Sequence, residues 1–427
     1  MNHRDRSSDD PGAVQPNPMG LQTLRKAVEA TPENGVAWSL YGRELAKAGD
    51  LDEAETALMR ALALAPDRST VLANLGAVAL RKGDPARADA LLSDLLDRHP
   101  DHADAQYNRG LARLTLGRWA EGFSDYRARW RAWGLERPFP DSPTWMGQPL
   151  REGPLLVSTE QGMGDAIHFL RFLPPARQRA GAVLLACRPA MGRLLCGAPG
   201  LDGLIPLGIA PPPHAATLPL MDLPGVLGLG PQDGAPVPYL LAETERAVSW
   251  AARLETLAPD CEGLRVGIAW RGSPTHGLDR ERSIPLSLFA PLARVPGVTL
   301  VALHPDVTSE EAALCDSLGI LTPDPDPDWR TEAFVGTAGL MAVLDLILSV
   351  DTVFAHLAGA LGRPVRVLLP RMADWRWGLA DKGTPWYPTM TLVRQGPDGL
   401  WPPVLVQEER HMARRIERRL KKGNLGP

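Results

Sequence analysis

The chain has 427 residues, a formal net charge of −4 and an apolar fraction of 44%, which is ordinary for a globular protein of two or three domains. The charge excludes a generally basic, nucleic-acid-binding protein, and no apolar run is long enough to span a bilayer. Residues 1–17 are polar and lack the apolar core of a secretory signal, so we predict a disordered N-terminus and a cytoplasmic protein. The four cysteines are widely spaced and too few for a disulfide scaffold, which favours reduced thiols in a cytoplasmic protein.

Residues 18–137 are predicted to form an array of helical repeats. Aligned at a period of 34 residues, two units carry small or apolar residues at the same positions. The positions are Trp38, Tyr41, Gly42, Leu45, Ala54, Leu58, Ala61 and Pro66 in the first unit, and Leu72, Leu75, Gly76, Ala79, Ala88, Leu92, Leu95 and Pro100 in the second. This pattern resembles the tetratricopeptide repeat, in which small residues let two antiparallel helices approach closely.

The array begins with a half-unit around Leu24 and Ala27 and ends with an aromatic third unit. The aromatic residues of that unit are Trp119, Phe123, Tyr126, Trp130 and Trp133. We predict that they pack against whatever follows in the chain. The concave face of the array is predicted to bind a peptide or partner protein, and the alternative is a structural cap or dimer surface.

Residues 138–152 are predicted to be a linker, and residues 153–258 a first α/β half. An apolar strand ending at Ser158 runs into a glycine turn and then a helical segment. Gly162 and Gly164 permit a tight turn and the close approach of another molecule, so they and Gln161 are predicted as base or sugar contacts. Asp165 lies at the helix start, either as a simple cap or as a catalytic base facing a cleft. Further strands are predicted at 182–187 and 201–207, with loops dominating 199–238.

Residues 259–405 are predicted to form a second α/β half. Its first strand, 264–270, leads into a polar loop that carries three arginines. Arg282 and Ser283, at the end of this loop, are the predicted phosphate contacts, because the planar guanidinium fork suits phosphate. A solvated surface loop is the alternative. Asp324 and Asp326 form an Asp-x-Asp pattern, but the interleaved prolines favour a stiff exposed loop, and we predict no metal there.

The segment 344–370 contains a complete strand–helix–strand pattern. Asp351 and Thr352 are helix start signals between an apolar strand and a short apolar helix. Such a unit places a helix N-terminus at the carboxyl edge of a parallel sheet, where free amides and the helix dipole favour an anion. We therefore predict that it holds the diphosphate of an activated sugar. An ordinary βαβ unit without a ligand is the alternative.

Two features follow this segment. Trp386 and Tyr387 are predicted to stack on a base or sugar, the alternative being loop packing. Residues 406–427 are predicted to form a basic helix and tail, with Met412, Ile416 and Leu420 on the stripe that lies on the body.

Five motifs carry a resemblance to a known family. They are Glu160 to Asp165, Asp279 to Pro285, Ser349 to Val365, Asp374 to Gly378, and Pro385 to Pro388. With the repeats, they resemble bacterial tetratricopeptide proteins fused to a heptosyltransferase-like glycosyltransferase of the family 9 type, related in plan to protein O-GlcNAc transferases. The resemblance implies a GT-B fold, in which two Rossmann-like halves face each other across a cleft, the first binding the acceptor and the second the nucleotide-sugar.

The resemblance also implies roles for single residues. Asp165 matches the proposed general base, Asp351, Thr352 and His356 match the donor site, and Arg282 matches a basic donor contact. The implied activity is an inverting, metal-independent transfer from a nucleotide-sugar substrate to a hydroxyl, without a cofactor, on a protein recruited by the repeats. The alternatives are a non-catalytic scaffold with a vestigial GT-B domain, an epimerase acting on nucleotide-sugars, and a transferase for lipopolysaccharide or lipid-linked glycan.

Overall fold

The computed structural model describes residues 18–64, 69–259, 263–274, 277, 279–380 and 382–423. The predicted disordered segment 1–17, the repeat residue Pro66 and the tail 424–427 lie outside these residues. The described chain forms a helical array followed by two α/β halves, each with its own parallel sheet. Among the described residues, every helix is too short or too polar to cross a bilayer.

The N-terminal array consists of paired antiparallel helices, as the 34-residue period predicted. Its helices are α1 (Pro18–Ala30), α2 (Gly35–Ala48), α3 (Leu51–Leu64), α4 (Ser69–Lys82), α5 (Pro85–Arg98), α6 (Ala103–Thr115), α7 (Trp119–Tyr126) and α8 (Arg129–Ala132). A Cβ added at Gly42 would lie 2.7 Å from Leu58 Cγ, and one at Gly76 would lie 2.6 Å from Leu92 Cγ. The repeated glycine is therefore required by the close approach of the two helices of each unit.

The aromatic third unit packs against the α/β halves, which confirms that prediction for Trp119 and Phe123. The Phe123 ring lies 5.9 Å from Phe169 and 5.6 Å from Trp375, and Trp119 lies 5.0 Å from Trp386, centroid to centroid. Because these partners come from both halves, the last helices of the array share one hydrophobic core with residues of both sheets, whereas the earlier helices form clusters of their own.

The first half is built on four parallel strands in the order β3-β2-β1-β4. Its elements are β1 (Leu155–Ser158), α9 (Met163–Phe169), α10 (Leu173–Ala180), β2 (Val183–Cys187), α11 (Gly192–Leu195), β3 (Gly203–Pro206), β4 (Ala216–Pro219) and α12 (Leu223–Leu227). Strand β4 lies in the segment predicted as loops, so that prediction is wrong there. Four residues that end in a proline show too little alternation of apolar and polar side chains to be distinguished from a loop. The strand forms because it pairs with β1, where Leu155 lies opposite Ala216.

The segment predicted as a linker, 138–152, is packed onto this half. Trp145 is fully buried, and its backbone N–H donates to the Thr217 carbonyl at 2.9 Å. The segment therefore extends the edge of the first sheet beside β4.

The second half is built on five parallel strands in the order β6-β5-β7-β8-β9. Its elements are α13 (Thr244–Leu257), β5 (Leu264–Ala269), α14 (Asp279–Arg282), α15 (Ala290–Ala293), β6 (Val298–Ala302), α16 (Ser309–Leu318), α17 (Val335–Ala342), β7 (Leu346–Val350), α18 (Val353–Ala360), β8 (Val365–Leu369), β9 (Met390–Arg394) and α19 (Pro402–Gly423). Helix α13 packs on α17, so it belongs to this half by its contacts.

Each sheet has a point at which successive strands are added on opposite sides. In the first half it lies between β1 and β4, and in the second between β5 and β7. Ligands of parallel α/β sheets bind outside the carboxyl ends of the strands at such a point. The segments that follow β1, β5 and β7 contain Asp165, Arg282 and Asp351, so the topology places the predicted site residues where ligands of such sheets bind.

The Asp-x-Asp segment is only in part the exposed loop that its prolines predicted, since Asp324 is exposed and Asp326 is not. Asp326 is buried, and its carboxylate accepts from Arg253 at 2.9 Å and from Arg246 at 3.2 Å. Both arginines project from α13, and this long-range pairing, absent from the local sequence, withdraws Asp326 from solvent.

Helix α19 lies on the second half, as predicted, but begins at Pro402 and not at residue 406. Met412 is buried, Ile416 is half-buried, and Leu420 is exposed beyond the edge of the body. The helix is also attached by a buried bidentate ion pair between Glu408 and Arg366 of β8. Its remaining face is exposed and basic.

Replacing Arg366 with methionine should lower the free energy of unfolding by about 3–5 kcal/mol, because the fully buried Glu408 carboxylate loses its partner. Urea denaturation measures the change. The matched control is Arg419→Met, which breaks an ion pair with Asp345 whose arginine side chain is 51% exposed, and which should change stability by less than about 1 kcal/mol. Equal effects of the two substitutions would contradict this account of how α19 is attached.

Candidate functional site

A cavity of about 1870 Å³ lies between the two halves and extends to the repeat array. Asp165 of the first half and the segment Asp351–Phe354 of the second half line the same cavity. The repeat array contributes Tyr107, Tyr126, Trp130 and Trp133 to its wall. Sites for single small ligands are usually about 300–1,000 Å³, so this cavity has room for two substrates.

The turn between β1 and α9 presents Asp165 to the cavity. Gln161 adopts a left-handed backbone with φ of 56°, and Gly162 occupies the N-cap position of α9. One carboxylate oxygen of Asp165 accepts from the Gly162 backbone N–H at 2.9 Å, and the side chain remains 20% exposed. Asp165 therefore closes the first turn of α9 and also lines the cavity, and its role as a catalytic base stays a prediction.

Arg376 is a site residue to which the sequence reasoning assigned no role. It comes from a short 3₁₀ turn of the second half, is buried, and forms an ion pair with the second oxygen of Asp165. It also donates to Asp374 at 2.8 Å and to His168 Nδ1 at 3.2 Å. The guanidinium thus fixes the carboxylate orientation across the junction of the two halves. Arg376 belongs to the motif Asp374 to Gly378, but nothing in the neighbouring sequence identifies Asp165 as its partner.

The N-terminus of α18 opens onto the cavity without a side-chain cap. Thr352 occupies the N-cap position in an extended conformation, and its hydroxyl is directed to the Val350 carbonyl and not to the helix amides. An uncapped first turn leaves backbone N–H groups and the positive end of the helix dipole available to an anion. The predicted strand and helix are confirmed here, with bounds that differ by one or two residues.

Arg282 lies beside this helix N-terminus. Its guanidinium donates to the Asp351 carbonyl at 2.9 Å and to Asp279 at 3.1 Å, and the residue lines the cavity. Ser283 lies one residue further, and its hydroxyl accepts from the Gly272 backbone N–H at 3.2 Å. The structure therefore brings Arg282 to the predicted anion site, whereas Ser283 is engaged in holding the loop.

Gly164 and His356 mark the place where the two halves touch. A Cβ added at Gly164 would lie 3.1 Å from His356 Cδ2 and 3.4 Å from Val353 Cα, so α9 and α18 approach closely. Helix α18 therefore fills the space on the side where a Cβ would project, while Gly164 still lines the cavity and its role as a base or sugar contact stays a prediction. Burial, together with nearby arginines, holds the pKa of His356 well below its usual range, so it lines the cavity as a neutral ring bonded to Tyr387 at 3.1 Å.

Trp386 and Tyr387 do not reach the cavity, which corrects their prediction as base or sugar contacts. Both side chains are essentially fully buried. The Trp386 indole donates to the Arg376 carbonyl at 2.8 Å, and the Tyr387 hydroxyl bonds His356. The two aromatic residues belong to the hydrophobic core that contains residues of the array and of both halves, so they support the site from below its surface.

Asp351 carries an electrostatic cost in the folded protein. Burial raises its pKa from 3.8 to about 6, and the Asp374 carboxylate adds to the rise, while Arg282 and Arg376 act in the opposite direction. In the unfolded chain the group ionises near its ordinary value. Between pH 4 and 6 the folded protein retains a proton that the unfolded chain releases, so this group makes stability fall as pH rises through that window.

Asp351→Asn should raise the free energy of unfolding at pH 7.5 by about 1–3 kcal/mol and leave stability below pH 4 nearly unchanged. Denaturant unfolding across pH 4–8 measures both effects. The control is Asp324→Asn, which removes an exposed carboxylate and should change the free energy of unfolding at pH 7.5 by less than about 0.5 kcal/mol. A variant no more stable than the parent at pH 7.5 would contradict the raised pKa.

No group of three or more His, Cys, Asp or Glu side chains suited to a metal ion occurs within the described residues. The carboxylates of Asp165 and Asp374 are instead paired with Arg376, and that of Asp165 also accepts from a backbone N–H. The expectations of metal independence, of no cofactor and of a cytoplasmic location stay predictions.

Comparison with known proteins agrees with the architecture of the N-terminal helices. Residues 20–129 match the family described as the TPR domain of cytochrome c-type biogenesis protein H. The N-terminal helices are a tetratricopeptide array. The match covers the array alone, and the α/β halves lie outside it.

Three further proteins resemble longer parts of the chain. FlbA of Caulobacter vibrioides is 28% identical over 416 residues, covering 90% of this chain and 68% of FlbA. The glycosyl transferase family 9 structure from Veillonella parvula covers 59% of this chain and 88% of its own at 12% identity, with a TM-score of 0.43. A mutant of the O-GlcNAc transferase from Thermobaculum terrenum covers 93% of this chain and 89% of its own at 15% identity, with a TM-score of 0.31. At these scores, the two structures carry no inference about activity.

Proposed function

We propose that this chain is a glycosyltransferase that moves a sugar from a nucleotide-sugar to an acceptor hydroxyl. The observation that carries the proposal is that one cavity, between two parallel-sheet halves, is lined by the Asp165 carboxylate on one side and by the uncapped N-terminus of α18 on the other. A proton acceptor opposite an anion site is the pair of groups that such a transfer needs.

The transfer is a direct displacement in this proposal. Asp165 accepts the proton of the acceptor hydroxyl, the acceptor oxygen bonds to the anomeric carbon, and the bond from that carbon to the diphosphate oxygen breaks. The configuration at the anomeric carbon is inverted because the two oxygens lie on opposite faces. The departing diphosphate gains negative charge, which the α18 amides and Arg282 stabilise without a metal ion.

A protein acceptor is supported by the position of the repeat array. Tyr107, Trp130 and Trp133 of the array line the cavity that contains Asp165, and all three are half-buried. A polypeptide held by the repeats would therefore lie beside the proposed base. A lipid-linked or lipopolysaccharide acceptor would need to enter by the same aromatic wall.

Calorimetric titration with a panel of nucleoside diphosphates and nucleotide-sugars, with and without a chelator, tests the donor site. Incubation with each labelled donor and candidate acceptors then tests the transfer. We expect micromolar to millimolar binding of one nucleotide class, insensitive to the chelator, and label on a protein. Absence of nucleotide binding would overturn the proposal. Nucleotide binding with neither transfer nor hydrolysis of the donor would favour a non-catalytic scaffold.

A further inference from the structure

An arginine from the repeat array occupies the crevice outside the first sheet, at the point where its strand order reverses. This crevice lies at the carboxyl ends of β1 and β4, where the loops contribute Glu160 and Asp222. Arg129 of α8 enters between them, and its side chain is 0% exposed. Its Nε donates to Glu160 Oε2 at 3.0 Å, and its Nη1 donates to Asp222 Oδ1 at 2.5 Å.

A second residue of the array contacts the next position of the same turn. Gln161 Nε2 donates to the Tyr126 hydroxyl at 3.2 Å. Gln161 is a non-glycine residue at positive φ, a conformation that persists only when its surroundings hold it. The Arg129 guanidinium lies 4.9 Å from the Tyr126 ring and 5.1 Å from the Trp130 ring, so the two contacts belong to one packed unit.

The turn is thereby held at three successive residues. Arg129 binds Glu160, Tyr126 binds Gln161, and the backbone N–H of Gly162 donates to Asp165 at 2.9 Å. Two of these three attachments come from helices of the repeat array, 30 or more positions earlier in the chain. Any displacement of α7 and α8 would therefore displace the backbone that orients the Asp165 carboxylate.

We infer that Arg129 is a positioning residue: through Glu160 and the adjoining Gln161–Tyr126 contact, the repeat array fixes the turn that aims Asp165. The array is then a structural part of the reaction centre as well as a recruiting module. The inference rests on the proposed function only for the role of Asp165, since the attachment of the turn is a property of the folded chain.

The test uses the full-length chain with Arg129→Met. Hydrogen exchange of peptides that cover residues 159–165 should be faster than in the parent protein. Transfer by the variant should fall by about 10- to 100-fold at saturating donor, because misplacement of a reacting group by about 1 Å has an effect of that size. The dissociation constant for the nucleoside diphosphate bound by the parent protein should stay within about twofold, since the donor site lies on the second half.

Two variants serve as controls. Arg109→Met removes an arginine that binds Asp125 of α7 at 2.7 and 3.0 Å and does not touch the turn. Asp125 keeps its contact with Arg113 at 2.9 Å, so α7 stays attached and neither exchange nor transfer should change. Tyr126→Phe removes only the hydroxyl bonded to Gln161 and should produce a smaller change of the same kind as Arg129→Met. If Arg129→Met fails to fold, the neutral triple variant Arg129→Met, Glu160→Gln, Asp222→Asn replaces it.

The outcomes separate this inference from the proposed function. Unchanged exchange at 159–165, faster exchange with unchanged transfer, or equal losses of donor affinity and transfer would each overturn the positioning role. If the parent protein transfers no sugar, the proposed function fails. The exchange comparison between Arg129→Met and Arg109→Met then still decides whether the array holds the turn.

Discussion

Replacing Asp165 with asparagine is expected to reduce glycosyl transfer by about 10²–10⁴-fold, the usual contribution of a positioned general base. Asparagine keeps the size of the side chain and an oxygen that accepts from the Gly162 backbone N–H. It cannot take the proton from the hydroxyl group of the sugar acceptor. Donor affinity should stay within about twofold, since the diphosphate site is formed by α18 and Arg282. Initial rates at saturating donor and calorimetry with the nucleoside diphosphate measure the two quantities.

The control for this substitution is Asp374→Asn. Asp374 pairs with the same arginine, Arg376, at 2.8 Å, but its side chain is 37% exposed and it does not belong to the turn between β1 and α9. A loss of transfer caused only by an unbalanced Arg376 charge would appear in both variants. A full rate in Asp165→Asn, or an equal loss in the two variants, would remove Asp165 from the mechanism.

Arg282→Met is expected to weaken nucleoside diphosphate binding by about 10- to 150-fold, which corresponds to about 1.5–3 kcal/mol for a hydrogen bond to a charged group. The guanidinium lies at the uncapped end of α18, where the phosphate oxygens are expected. Methionine retains the apolar stem and removes the charge. Calorimetry at low and moderate salt measures the loss, which should shrink as salt screens the parent interaction.

Arg280→Met is the matched control, since Arg280 lies in the same short helix but is exposed. It should change the affinity by less than about twofold, as expected for an exposed charge. Because Arg282 also holds the Asp351 carbonyl, hydrogen exchange of α18 distinguishes loss of a ligand contact from loss of helix order. An unchanged affinity in Arg282→Met would reject the phosphate assignment.

The ion pair between Asp165 and Arg376 connects the two halves beside the proposed base. Asp165 belongs to the first half and Arg376 to the second, and both residues line the cavity, so their ion pair joins the two halves there. Gly164 lets α9 and α18 meet at the same place. The proton acceptor and the anion site are therefore fixed relative to each other by direct contact, and rates should be sensitive to substitutions along this junction.

The predictions that were confirmed rest either on signals within a few residues of each other or on a pattern that recurs from one helical pair to the next. The repeat period, the turn before α9 and the Asp351–Thr352 helix start each express a local rule, either close helix packing or helix initiation. Each places its own βα or αα unit without information from distant residues. The parallel topology then brings the loops after β1, β5 and β7 to the edges where ligands bind.

The sequence by itself therefore determined the repeat array, the two α/β halves and the segments that line the cavity. Only the tertiary structure decided which side chains meet. It joined Arg129 to Glu160 and Arg376 to Asp165, buried Asp326 against Arg246 and Arg253, and placed Trp386 and Tyr387 in the core. The physical reason is that burial and ion pairing depend on residues brought together from distant positions, whereas helix starts, turns and repeats are set by neighbours along the chain.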